Sequence, residues 1–269
     1  MNKKEEYFYD LHCHSLSSAD SPTRIEDAVR MAQKRGLNGI AITDHNKTYR
    51  GPTLIGGIEI IPGSEIILKG GGHLLGYFIK EDLPSGLKLE EAVSMIKKQG
   101  GYAVLAHPFR EDHGYFRNLS EKEKGLSLVD GLEAANASDS NEVNNLACRL
   151  AEDHPNIPLF LTSASDAHMA GQIGFGAVKV NEKLSRENFA RVLRKAELIV
   201  VPESRAFGKQ VHFLRRIFSA IEKPLNHRWL GGIKKVFYSL FLRNALRFKN
   251  RELSRIEFNL KNSYNLLKK

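Results

Sequence analysis

The sequence predicts an α/β fold, an irregular barrel of roughly seven strand–helix units followed by a basic helical extension. Three observations carry that reading. Between residues 7 and 201, apolar β-branched runs alternate with amphipathic helical stretches, the pattern of strands joined by crossover helices. Five of the 10 histidines follow the ends of such runs. The charge then changes sign: residues 203–269 hold 16 Lys+Arg against 4 Asp+Glu, a net of +12, which leaves the first 202 residues at −3.

Taken in order, strands are expected near residues 7–11, 39–43, 58–67, 73–78, 102–106, 131–136, 158–163, 177–180 and 198–201. The run Thr23-Arg24-Ile25-Glu26 reads as a capping box, after which Ile25, Ala28, Val29 and Ala32 share one helix face until Gly36 closes it. Further helices are expected over 89–99, stopped by Gly100-Gly101, over 141–152, and over 186–196 behind a Ser185 cap. The extension has helical period over 211–218, 233–242 and 251–267, with Pro224 and Gly231-Gly232 as breaks. Two domains result, a barrel at 7–202 and a basic extension at 203–269.

Composition bounds the function. With 42% hydrophobic residues and two cysteines in 269, the chain is neither low-complexity nor a disulfide scaffold. Cys13 and Cys148 read as reduced thiols of a cytoplasmic protein. Residues 1–6 are mixed in charge and lead into no apolar signal core. The longest apolar stretch, 236–242, falls far short of the roughly 20 residues a spanning helix needs.

The histidines point to metal chemistry. His12 and His14 follow a first strand and, two residues apart, face the same way. His45, His107 and His168 each follow a later strand, whereas His73 opens one. In a βα barrel the loops beyond the strand ends form a single face where active sites are built, so these side chains converge. Asp20, Asp44, Glu65 and Asp166 belong to the same set. Imidazoles with carboxylates suit zinc, manganese or iron, and a bridging carboxylate can hold two such ions together. His113, His154, His212 and His227 lack this context and receive no role.

These residues resemble the motifs of the PHP (polymerase and histidinol phosphatase) family of metal-dependent phosphoesterases over about residues 7–201. The first motif is similar to His12-Cys13-His14-Ser15 with Ser18 and Asp20, and the second to Ile42-Thr43-Asp44-His45-Asn46. Pro62-Gly63-Ser64-Glu65 with His73 resembles the third, and Ala106-His107-Pro108, Gly131-Leu132-Glu133-Ala134-Ala135-Asn136 and Ser165-Asp166-Ala167-His168 complete the series. The resemblance implies a distorted (β/α)7 barrel with two or three divalent ions. It implies that His12, His14, Glu65 and Asp166 hold one ion, that Glu65 bridges to a second held by His73 and His107, and that Asp20, His45 and His168 form a third site. The family often has a histidine in place of Asp20 and a further one near Asn136; neither is present here.

The expected reaction is hydrolysis of phosphate mono- or diesters, nucleotides or short oligonucleotides foremost, by a hydroxide shared between metals. Arg110 is expected to bind phosphate through its guanidinium, with Lys47 a weaker candidate. Asp44 either orients a ligating imidazole or caps a turn. Cys13, between two ligands, should pack in the barrel wall. Two other classes stay open: an amidohydrolase-type metal enzyme on a non-phosphate substrate, and a non-catalytic module whose extension docks to RNA or an anionic membrane. Co-sedimentation with RNA and with anionic liposomes distinguishes the last. If the extension docks, the full chain binds more than a chain ending at Ser204; if its helices instead pack their apolar face on the barrel and leave the basic face to solvent, the two bind equally and the extension drops out of the functional argument.

Overall fold

The computed structural model describes residues 5–116 and 122–201. The three helices expected in the extension, and the domain division at 202/203, lie outside the described residues. Among those residues, no helix is long and apolar enough to cross a membrane.

The chain runs β1 (Tyr7–Cys13), α1 (Ile25–Lys34), β2 (Gly39–Ile42), β3 (Leu54–Ile55), β4 (Ile58–Ile67), β5 (His73–Tyr77), α2 (Leu89–Lys98), β6 (Tyr102–Leu105), α3 (Lys122–Leu128), β7 (Gly131–Asn136), α4 (Asn141–Asp153), β8 (Phe160–Ala164), a 3₁₀ turn at Ala170–Gln172, β9 (Gly176–Val180), α5 (Phe189–Leu193) and β10 (Glu197–Val200). The strands form one sheet in the order β10-β9-β1-β2-β4-β5-β6-β7-β8, with β3 on β4. The sheet curls into a nearly closed barrel. Ala167, just beyond β8, forms a bridge with Cys13 of β1; its N–H donates to His12 O (3.2 Å) and its carbonyl accepts from His14 N (2.8 Å).

The barrel is less regular than alternating parallel units would give. β1–β2, β2–β4, β6–β7 and β7–β8 are parallel, but β4–β5, β5–β6, β1–β9 and β9–β10 run antiparallel. The reason is local. Gly70 and Gly71, at φ 93° and 91°, let the chain reverse after β4 without a crossover helix. Ile67 is thereby paired with His73, so the start of β5 lies at the same barrel end as the finish of its parallel neighbours.

Two apolar layers hold the barrel. Tyr9, Leu11, Ala41, Leu75, Tyr77, Val104, Phe160 and Phe189 belong to one cluster; Phe8, Cys13, Ile40, Ile42 and the buried face of α1 belong to another. Phe189 stands among the rings of Tyr77, Phe78, Tyr102 and Phe160 at centroid distances of 5.1 to 5.6 Å, which plugs the end opposite the histidines. A third cluster joins Ile96 and Leu89 of α2 to Leu74 and Leu105.

Several boundaries differ from expectation. Helix α1 has Arg24 as its N-cap residue, with no side-chain cap. The Thr23 hydroxyl donates instead to His168 O at 3.3 Å, so a tertiary contact displaces the expected capping box. Helix α5 spans only Phe189–Leu193 behind Asn188, whose Oδ1 accepts from Ser185 N. Strand β8 starts two residues later than expected, and α3 was not anticipated. Cys13 and Cys148 are free. Truncating Ile96, which is fully buried, to Ala should cost about 2–5 kcal/mol of stability, read as a lowered midpoint in chemical denaturation.

Candidate metal centre

All nine expected metal ligands converge at one end of the barrel. Strand β1 delivers His12 through an irregularity: its register against β2 shifts between Asp10 and Cys13. Tyr9 and Leu11 pack in the inner cluster while Cys13 packs beside α1, so the face the strand offers changes at this point. His14 lies just past the strand. Glu65 sits in the second half of β4, paired with Leu75. His107 and Asp166 have φ of 28° and 53°, a left-handed backbone that non-glycine residues rarely adopt and that costs of order 1 kcal/mol or more each.

The donor atoms form overlapping groups. His12 Nε2 and His14 Nε2 are 3.2 Å apart, each 3.4 Å from Glu65 Oε2, and 3.5 and 3.4 Å from Asp166 Oδ1. Ligands around a tetrahedral ion with bonds of about 2.0–2.1 Å lie roughly 3.3–3.4 Å from one another, so this spacing fits a single ion. The other Glu65 oxygen, Oε1, faces His73 Nδ1 at 2.7 Å and His107 Nε2 at 3.0 Å. Asp20 Oδ2 lies 3.4 Å from His45 Nε2 and 3.3 Å from His168 Nε2. His45 links the groups, its Nδ1 lying 3.0 Å from Glu65 Oε2. The sets His14/Asp20/His45/His168, His12/His14/Glu65 and His45/Glu65/His73 each bring their donors within 4.8 Å of one another.

A shell of further residues fixes these side chains. His12 Nδ1 donates to Glu133 Oε1 at 3.0 Å, which turns Nε2 toward the cluster; the other Glu133 oxygen accepts from His107 N and Asn136 Nδ2. His14 Nδ1 contacts Ser18 Oγ at 3.0 Å, and Ser18 donates to Asp44 Oδ1 at 2.8 Å. Asp44 also accepts from Ser15 N and Oγ. Of its two expected roles, Asp44 therefore takes the cap of the turn after β1, and it reaches the His14 imidazole only through Ser18. Arg110 is buried, with Nε on Asp139 Oδ1 and Nη1 on Asp166 Oδ2, both at 2.6 Å, whereas its Nη2 has no hydrogen-bond partner. Lys47 pairs with Asp82 at 3.1 Å, so its charge is already engaged.

Glu133, Ser18 and Asp139 were not picked out as site residues. For Glu133 the signal was available: a lone acid in Gly131–Asn136, a strand buried at every position, has to be matched by a specific partner.

The electrostatics follow from burial against opposite charge. Burial would raise the Glu65 carboxyl, but His73, His12 and His45 hold it well below the usual range; Asp166 is likewise lowered despite burial, by His12 and Arg110. Burial disfavours charge on His12, yet Glu65, Asp166 and Glu133 raise its pKa well above the usual value. His45 rises to about 10, with Glu65 and Asp20 outweighing its burial. His14, pressed by burial and by His168, falls to about 3.

The residues present fit divalent metal ions. Ionised Glu65 and Asp166 are buried among imidazoles, and the buried His107 Nδ1 and His168 Nε2 make no hydrogen bond. Arg110 offsets part of this negative charge at Asp166, and the carboxylates in turn raise the pKa of His12 and His45.

A barrel end that gathers six imidazoles and three carboxylates is a candidate centre for several divalent metal ions. The chain belongs to the PHP family: the PHP domain model matches residues 10–198. The uncharacterized protein MJ0417 of Methanocaldococcus jannaschii is 32% identical over 258 residues, 90% of this chain and 98% of that one. Among solved structures, PsfC from Pseudomonas syringae matches with a TM-score of 0.61 at 17% identity, covering 79% of this chain and 98% of that one. Endonuclease Q, in complex with a 27-mer duplex carrying an abasic lesion at its active site, matches with 0.58 at 17% identity over 71% of this chain and 57% of that one. A two-domain protein from Bacteroides vulgatus, described as containing a predicted PHP-like metal-dependent phosphoesterase, matches with 0.56 at 22% identity over 73% and 65%.

Two outcomes are expected. Because the surrounding carboxylates raise the pKa of His12 and His45, an arriving ion competes with protons for these imidazoles; apparent metal affinity should rise with pH, and calorimetry in two buffers of different ionisation enthalpy should show proton release. Glu133→Gln should weaken metal binding by about 10- to 100-fold in a competition titration against a chelator dye.

Proposed function

We propose that this protein is a phosphoesterase that hydrolyses phosphate mono- or diesters, nucleotides or short oligonucleotides foremost, in the cytoplasm, with two or three manganese, zinc or iron ions. The observation that carries the proposal is the placement of Glu65, whose two oxygens face separate imidazole sets, His12/His14/His45 and His73/His107. A carboxylate so placed can bridge two ions, with Asp166 completing the first set and Asp20, His45 and His168 forming a third. Bound metal supplies Lewis acidity toward a phosphoryl oxygen and a water of lowered pKa.

The chain's own residues do the positioning. Glu133 fixes which His12 nitrogen faces the ion, and Asp44 does the same for His14 through Ser18. Arg110 locks Asp166 with one nitrogen and keeps Nη2 for a substrate oxygen; burial would lower its pKa, but Asp139 and Asp166 raise it, so the guanidinium stays charged and suited to a phosphate. Endonuclease Q, a structural neighbour whose site holds a DNA lesion, supports phosphate-ester chemistry on this fold. The +12 of residues 203–269 favours a polyanionic substrate or partner.

The test combines metal content by plasma mass spectrometry with phosphate release from a panel of esters. Two or three equivalents of metal with phosphate release are expected in the wild-type chain, and loss of both in a His12→Ala, His14→Ala double variant. Full activity in that variant would exclude the metal mechanism, and metal without release from any ester would shift the reading to an amide or lactone substrate.

A further inference from the structure

His113 belongs to none of the three donor groups, yet it stands against them. Its ring lies parallel to that of His73, with centroids 4.8 Å apart and planes at 14°. The residue is exposed, whereas His73 and His107 are buried. The His113 imidazole is therefore stacked on a cluster histidine while the residue itself stays exposed.

The backbone holds it there. Arg110 N donates to His107 O (3.0 Å), Gly114 N to Arg110 O (2.8 Å) and Phe116 N to Pro108 O (2.8 Å), so residues 107–116 wind as one tight turn. A Cβ at Gly114 would stand 2.5 Å from Arg110 O and 2.7 Å from Pro108 O, so only glycine lets the chain fold back this closely. The same turn carries Arg110, whose buried Nη2 lacks a partner. Thus one rigid turn presents a cluster imidazole, a phosphate-binding group and an exposed flat ring.

Parallel stacking of imidazoles recurs in the cluster: His14 lies on His168 (4.0 Å, 21°) and His12 on His107 (5.9 Å, 20°). His113 extends this stacking outward from His73 and shares its turn with Arg110, so its ring stands beside the donor groups without belonging to them. We propose that the His113 imidazole stacks on a planar base or aryl group of the substrate, so that the site selects phosphate esters carrying such a ring. This deepens the phosphoesterase reading and rests on it. A flat face recognises any π-system without demanding a particular hydrogen-bond pattern, which makes His113 a specificity residue rather than a metal ligand.

AMP and ribose 5-phosphate, which differ only in the planar base, test this with the full metal-loaded chain. The wild type should prefer AMP. His113→Ala should raise KM for AMP about 10-fold or more, the scale of a lost base stack, with kcat, metal content and the KM for ribose 5-phosphate unchanged. His113→Phe, which keeps a flat face and has no ring nitrogen, should restore the preference. Equal losses on both esters, a Phe variant as poor as the Ala variant, or a wild type indifferent to the base would each overturn the proposal. If neither ester is hydrolysed, the phosphoesterase reading fails for these esters, and calorimetric Kd values for the same two compounds decide the stacking by the same pattern.

Discussion

The Glu65 carboxylate is fully enclosed, and five imidazoles surround it: His12, His14 and His45 at one oxygen, His73 and His107 at the other. A buried charge of this kind is very costly unless matched at close range, and the site's construction answers that cost. The surrounding histidines come from four segments, the end of β1, the loop after β2, the start of β5 and the loop after β6, so the compensation is complete only when these are folded together. Strand β1 meets the segment after β8 through Cys13 and Ala167, and that closure sets His12 and His14 against Asp166.

The second layer gives the arrangement its direction. Imidazoles can present either nitrogen, and a cluster with the wrong tautomers binds no ion. Glu133 settles the matter for His12, and the Ser18–Asp44 relay does so for His14. Arg110 performs the matching task for Asp166 while balancing it in charge. The left-handed backbone at His107 and Asp166 is tolerated because this surrounding network over-determines both positions.

A mixed sheet is what makes room for so many ligands at one end. In an all-parallel barrel each strand contributes only its final residues to that face. Here the glycine turn after β4 reverses the chain within a few residues, so β4 supplies Glu65 from its later half and β5 supplies His73 from its first position. The opposite end can then be filled with apolar rings around Phe189, which separates a dry, packed end from a charged, reactive one.

Read alone, the sequence determined much of this. Periodicity located nine of the ten described strands to within two residues and missed the two-residue β3, and histidines with acids at strand ends pointed to the nine side chains that the barrel brings together, because ligand chemistry limits the residue types and barrel geometry limits where they can stand. Tertiary structure decided the rest. Strand direction followed from a loop reversal that periodicity does not encode, and the capping role of Thr23 was lost to a contact with His168, 145 residues away. Glu133, Ser18 and Asp139 act on side chains brought near only by folding. Arg110 could be picked out as a guanidinium near the site, but that two of its nitrogens are engaged by acids while the third has no partner is a matter of three-dimensional packing. Residue type states what a group can do; which neighbours burial forces upon it states what it does.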